Sequence, residues 1–241
     1  HLRKQEFEAE FIQDGVGAFK NLAAIFEGPP IEFTDDTFQE WFGKVDVDQL
    51  NAEPWVVAVD FAKSEDYTAI GAMGIESRRL SYYCRMNKRD YKTQLNHLDK
   101  VCQRFDMADL IYDKTGVGRG LEDFLGRSSN NYGFQFTNDS KNELVNKLIA
   151  ATDYAEIKLP NIVTMRNEFE LFTYDITRTG KLSYNAPEGK HDDTVIMVGL
   201  ANWFCVENGG KGHVEEVNDF LNIVASSNEP KSEYQKFLEE D

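Results

Sequence analysis

Long hydrophobic runs are missing from this chain of 241 residues, and so are most of the features that would assign it quickly. No apolar stretch reaches the roughly 18 residues of a membrane-crossing helix, and no charged-then-apolar leader opens the sequence, so neither a membrane span nor export is expected. Cysteine is scarce. Cys84, Cys102 and Cys205 are odd in number, widely spaced and free of any CxxC pattern, which argues against a disulfide framework and a zinc site and fits a reducing cytoplasm. No GxxxxGK[ST] loop occurs, which excludes a P-loop nucleotide site. Gly116, Gly118 and Gly120 do not make GxGxxG, so a dinucleotide loop is unsupported. His1, His97 and His213 show no ligand spacing.

Positive charge is also in deficit. Against 42 Asp and Glu stand only 26 Lys and Arg, for a net charge of −16. Sequence-independent affinity for nucleic acid comes chiefly from cations on phosphates, so this balance weighs against a nucleic-acid enzyme. Distribution matters more than the total, however. Basic residues gather at Arg78/Arg79, Lys88/Arg89, Lys114/Arg119 and Arg178/Lys181/Lys190, whereas acids concentrate at Asp35/Asp36, Glu215/Glu216 and Glu239-Glu240-Asp241. An acidic protein can still present one basic groove.

What is present is a chain of ordinary globular composition, 41% hydrophobic and 28% charged, long enough for one substantial core. It opens on His rather than Met, which reads as a fragment or a processed chain. Residues 1–54 read as an N-terminal arm: a short helix from Arg3 to Gln13, a Gly-broken segment, then a Gly28-Pro29-Pro30 stretch with little regular structure up to Pro54. The compact domain is expected over 55–210, and 211–241 reads as an acidic tail. Within the domain, β-branched runs predict strands near 55–61, 67–75 and 80–86, a helix at 91–105 and a buried strand at Leu110-Ile111-Tyr112. Leu121, Phe124 and Leu125 predict a short helix, followed by a strand at 132–136 and helices at 141–152 and Met165–Phe172. Tyr174–Thr177 and Leu182–Tyr184 flank Arg178-Thr179-Gly180-Lys181 as a hairpin. A last helix at 192–206 is apolar nearly all round and should be buried. Three strands form a meander, and the helix after them returns the chain to add a parallel strand beside the first. The expected fold is α/β: a ribonuclease H-like mixed central sheet flanked by helices, with an inserted hairpin.

That order brings acids together. Asp60 ends Trp55–Val59, Asp113 ends Leu110–Tyr112, and Asp192 and Asp193 open the last helix. Phosphodiester cleavage needs an activated water, charge neutralisation and a stabilised leaving oxygen, and two divalent ions about 4 Å apart can supply all three. Hard ions such as Mg²⁺ or Mn²⁺ take oxygen ligands and keep several waters, so a few carboxylates on rigid elements suffice. Without metal, crowded carboxylates repel and their pKa values rise. Each acid also has a structural reading: Asp60 as a strand end, Asp113 as a turn cap, Asp192 as a helix N-cap. Of the last pair, Asp192 is the one expected to face Asp60. His191 is a candidate to orient the attacking water, Asp66 for a fourth ligand and Lys114 for a phosphate, each against an ordinary structural role. Tyr82, Tyr83 and Tyr91 read as sheet and core material.

These residues resemble a known family. Val57-Ala58-Val59-Asp60-Phe61-Ala62 with Glu65–Ile70 is similar to the first nuclease motif of the large terminase subunit of tailed bacteriophages. Leu110–Gly118 is similar to the second, and Gly189-Lys190-His191-Asp192-Asp193 to the third. Phe7–Phe11 with Asp14–Phe19 also resembles the stretch leaving that family's ATPase domain. The resemblance implies a metal-dependent endonuclease that cuts concatemeric viral double-stranded DNA during packaging in the host cytoplasm. It implies Asp60, Asp113 and Asp192 or Asp193 as ligands of Mg²⁺ or Mn²⁺. It also implies the ATPase domain of the same full-length protein, the portal and the small terminase subunit as partners, and no membrane. The missing P-loop means that this chain would be the nuclease half alone. A junction resolvase, a ribonuclease H, or a non-cleaving domain that docks DNA or portal would carry the same acids.

Overall fold

The computed structural model describes residues 16–45, 47–62, 66–106, 108–115, 120–125, 130–176 and 182–209. The Arg3–Gln13 helix, the Gly116–Gly118 loop, the hairpin tip at 177–181 and the acidic tail lie outside them. In chain order the elements are β1 (Val16–Gly17), α1 (Leu22–Ile25), β2 (Phe26–Ile31), β3 (Phe38–Phe42), α2 (Val47–Ala52), β4 (Trp55–Asp60), β5 (Thr68–Gly74) and β6 (Leu80–Met86). Then come α3 (Tyr91–Arg104), β7 (Asp109–Asp113), a 3₁₀ turn at Glu122–Phe124, β8 (Asn131–Phe134), α4 (Asn138–Asp153), β9 (Leu159–Ile162), α5 (Val163–Leu171), β10 (Thr173–Ile176), β11 (Leu182–Asn185) and α6 (Asp193–Asn208).

The main sheet has the order β3-β6-β5-β4-β7-β8. Along β3-β6-β5-β4 each strand is antiparallel to its neighbour, and β4, β7 and β8 run parallel. This is the expected meander with a return crossover through α3. Strand alternation sorts the central residues by face. Val57, Val59, Ile70, Ala72, Tyr82, Leu110 and Tyr112 join one core with Leu98, Val101 and Cys102 of α3. Val56, Ala58, Ala69, Met73, Tyr83 and Ile111 join the other with α4, α5 and α6. Helix α6 is buried along most of its length, as its uniformly apolar sequence predicts. It lies so close to the sheet that a Cβ at Gly71 would overlap the Met197 sulfur, and at Gly199 one would overlap Leu144 of α4. Any side chain there would force the Met197 or Leu144 side chain out of its place in the packing.

The arm expected before Trp55 is more structured than its composition suggests. β3 extends the main sheet, pairing Phe38 with Met86 through Phe42 with Tyr82, and β2 pairs in parallel with β9. Phe38, Trp41 and Phe42 carry enough apolar surface to make an edge strand, a signal masked by the acidic and proline residues around them. β9 was likewise not foreseen: Leu159-Pro160-Asn161-Ile162 is short, and its proline is tolerated because β9 is an edge strand with a single partner.

Candidate active site

The periodicity that builds the core also aims the acids. Asp60 shares the face of Val56 and Ala58, and Asp113 that of Ile111, so both project to the side on which α6 packs. Val59 and Tyr112 form the last pair of the β4–β7 ladder, so the two Asp lie side by side one step further on. α6 then begins beside them with Asp192 and Asp193.

Their electrostatics record the crowding. The Asp60 carboxyl is held well above its ordinary range, first by the density of protein around it and then by the negative charges of Asp193, Asp113 and Asp192, with Lys141 opposing. Asp193 is 8% exposed, and its carboxyl is pushed up to about 7, first by burial, then by Glu168, while Arg85 opposes. Its Oδ2 makes no hydrogen bond and stands 3.7 Å from His191 Nδ1. That ring nitrogen is also 3.6 Å from Asp66 Oδ1. Asp113 Oδ1 accepts from Thr115 N at 2.6 Å, closing a turn, while Thr115 Oγ1 accepts from Phe136 N at 2.6 Å. Asp192 Oδ2 lies 3.8 Å from Lys141 Nζ in the first turn of α4, and Lys141 also reaches Asn185 Oδ1 at 3.2 Å.

The structure thus brings Asp60, Asp113, Asp192, Asp193 and His191 into one neighbourhood, with Asp66 at its margin. Asp193, and not Asp192, acts most strongly on Asp60. Among the described residues no three of these groups stand close enough to form a closed metal cage. Lys114 is turned to Glu122, 3.5 Å away, and Tyr82 and Tyr83 are buried sheet residues. A separate cleft of about 690 Å³, lined by Glu27, Trp41, Trp55 and Arg79, opens at the other end of β4 from Asp60 and is no part of this site.

Three contributors were not foreseen. Glu168 on α5 is 6% exposed, and its Oε2 accepts from Thr194 N at 2.8 Å. Its other oxygen lies 3.1 Å from Arg85, off the line of a directed hydrogen bond, so the contact is an ion pair. Burial raises the Glu168 carboxyl, and Arg85 and Thr194 hold it back. Both residues left a trace in the sequence: a Glu amid Met165, Phe169 and Phe172, and an Arg inside the apolar run Tyr82–Met86. The third is Gln94, buried at the start of α3. Its Oε1 accepts from Thr68 Oγ1 at 2.9 Å, and its Nε2 donates to Ala62 O at 3.2 Å and Arg89 O at 2.8 Å, tying down the chain that leaves Asp60.

A six-stranded mixed sheet with acids at the ends of two parallel neighbours and at the start of a buried helix defines a ribonuclease H-like protein with an acidic centre. The profile of the terminase RNaseH-like domain matches residues 57–198, more than half of the chain, and the chain belongs to that family. It is 23% identical over 201 residues to the terminase large subunit of Thermus phage G20c, covering 82% of this chain and 40% of that protein. The chain therefore spans less than half the length of the curated relatives it matches. Among solved structures, the large terminase nuclease of phage G20c with bound magnesium superposes with a TM-score of 0.65 at 21% identity, covering 78% of this chain and 96% of that one. The large terminase nuclease domain of Thermus phage P74-26 gives 0.65 at 19% identity, covering 81% and 97%. The G20c nuclease has also been solved with cobalt and with zinc.

Proposed function

We propose that this chain is the nuclease part of a large terminase: a divalent-metal-dependent endonuclease that cuts concatemeric viral double-stranded DNA during genome packaging. The observation that carries the reading is the convergence of four carboxylates from three elements; burial first, and then neighbouring carboxylates, hold Asp60 and Asp193 above their ordinary pKa. Such crowding costs stability in the empty protein, and a cation relieves it.

The donor set fits Mg²⁺ or Mn²⁺. All four groups are carboxylates, which suit hard ions, and no thiol or imidazole pair competes among them. Asp60 and Asp113 would hold metal, with Asp193 or Asp192 as the third ligand, and two ions are the arrangement that phosphodiester cleavage favours. When bound, such ions activate water and neutralise charge on the phosphate. The residues around them do the rest. The Thr115 amide fixes the Asp113 carboxylate through one oxygen and leaves the other to a ligand. Lys141 offers the phosphate a cation beside the acids, and His191 accepts or donates a proton near Asp193. The partners in this reading are double-stranded DNA, the ATPase domain of the same full-length protein, the portal and the small subunit, met in the host cytoplasm.

Plasmid nicking by the purified chain in Mg²⁺ or Mn²⁺ tests the proposal, with Asp60→Asn as the control. Metal-dependent cleavage of double-stranded DNA, lost in that variant, is expected. Cleavage confined to four-way junctions or to RNA–DNA hybrids would move the function to a resolvase or a ribonuclease H. Neither cleavage nor a metal-induced rise in Tm would leave a docking domain.

A further inference from the structure

Helix α6 delivers two of the four acids, and its start differs from those of α3 and α4. Where an Asp caps a helix here, the signs are plain. Asp90 is extended, at φ −66° and ψ 157°, and its Oδ1 accepts from Thr93 N at 2.8 Å. Thr137 is likewise extended and accepts from Ser140 N at 3.1 Å. Asp192 has neither feature: its backbone sits at φ −128°, ψ 8°, and its side chain makes no cap hydrogen bond. An N-cap side chain takes the amide of the second or third helical residue. In α6 the second of these is Thr194 N, and Glu168 Oε2 of α5 occupies it at 2.8 Å.

Glu168 is held in place for this contact. Arg85 pairs with it at 3.1 Å, and the same guanidinium lies 3.3 Å from the centre of the Tyr67 ring, whose edge meets His191 at 5.0 Å between centroids. Thr194 is fixed in turn by a hydrogen bond of 3.2 Å between its hydroxyl and that of Tyr83. A buried ion pair is seldom more stable than apolar residues of the same volume, so Glu168 and Arg85 call for an explanation other than packing.

We propose that Glu168 is a positioning residue that caps α6 from a neighbouring helix and so relieves Asp192 of that task. Were Asp192 to cap its own helix, its carboxylate would fold back over the helix start with one oxygen engaged by the Thr194 amide. With Glu168 in that place, Asp192 keeps its oxygens for metal. The proposal rests on the reading of these acids as metal ligands.

The test combines thermal unfolding in chelator with Mn²⁺ titration calorimetry. In the metal-free protein, Asp90→Ala should lower Tm by about 2–4 °C, the loss expected of a working cap, whereas Asp192→Ala should not lower it. In a Glu168→Ala background Asp192→Ala should become destabilising by a similar amount, because there Asp192 has taken over the amide. Mn²⁺ affinity should fall about tenfold or more in Glu168→Ala and stay within about threefold of wild type in Glu168→Gln, which keeps an oxygen for Thr194 N. A Tm loss for Asp192→Ala alone, equal to that of Asp90→Ala, overturns the proposal, and that comparison stands even where Glu168→Ala does not fold. Unchanged Mn²⁺ affinity in Glu168→Ala, or an equal fall in Glu168→Gln, overturns it too. Failure of the metal reading looks different: Asp60→Asn would then leave Mn²⁺ affinity intact.

Discussion

Replacing Asp193 by Asn should stabilise the metal-free protein and abolish metal-dependent cleavage, if the carboxylate that carries the strain is also the third ligand of the proposed site. The Asp193 carboxyl ionises near 7 in the fold, against an ordinary 3.8, with burial as the main cause and Glu168 as the next. A folded-state pKa raised above the unfolded value means that the native protein binds more protons between those limits. Stability is therefore fully present below about pH 4, falls as pH rises towards about 7, and is flat above it. At about 1.4 kcal/mol per pH unit the interval sets an upper limit of about 4 kcal/mol, and relaxation around a group 8% exposed should leave about 1–2 kcal/mol. For a domain of this size that corresponds to a rise in Tm of about 2–8 °C at pH 8 for Asp193→Asn, shrinking to nothing near pH 4. Differential scanning fluorimetry in chelator across pH 4–8 measures it. Adding Mg²⁺ or Mn²⁺ should raise Tm in wild type at pH 8 and much less in the variant. A variant less stable than wild type at pH 8, or a gain independent of pH, would refute the assignment of strain to this carboxylate.

Asp60→Ala and Asp113→Ala should each abolish plasmid cleavage with the fold intact by circular dichroism; cleavage within a few-fold of wild type would remove that residue from the site. Lys141→Ala should weaken DNA binding and reduce the slope of log K against log salt by about one, the value of one phosphate contact, as a filter-binding salt series would show. An unchanged slope would confine Lys141 to its contacts with Asp192 and Asn185. Gln94→Leu should destabilise by about 2 kcal/mol in urea unfolding, since Thr68 Oγ1, Ala62 O and Arg89 O all lose a buried partner. A neutral result would mean that the chain after Asp60 is held by other contacts.

The parts of the fold that were legible in the sequence are those in which local pattern and burial agree. β4, β5, β6, β7 and α6 stand within a residue or two of where hydrophobic runs place them, because strands enclosed on both faces and a helix apolar all round leave little ambiguity. Asp60 and Asp113 were visible for the same reason, as charges that end such runs. Residues whose role depends on partners distant in sequence were not. Glu168 meets Thr194 across 26 positions and Gln94 meets Ala62 across 32, and neither spacing has a local signature. The preference for Asp192 as the residue facing Asp60 followed from its place at the chain's entry to the helix. The structure gives Asp193 the stronger effect on Asp60, and Asp193 is the more deeply buried of the two.

The charge of the chain bears on the same site. A net −16 opposes a polyanionic substrate only if cations near the acids are already neutralised. At the end of the sheet away from Asp60 they are: Arg78 is bound to Glu156 at 2.7 Å, and Arg79 is paired with Glu27. β6 runs parallel to β4, so the exposed Lys88 and Arg89 that follow it lie at the same end as Asp60, as do Lys114 after β7 and Lys141 in the first turn of α4. There the pairs are longer, 3.5 Å for Lys114 with Glu122 and 3.8 Å for Lys141 with Asp192. Partly exposed pairs at such distances contribute little to stability, so an anion could displace them at small cost. Apart from the buried Arg85–Glu168 pair, the cations beside the acids are loosely held, which is how, on the proposed reading, an acidic chain offers DNA its cations where the carboxylates converge.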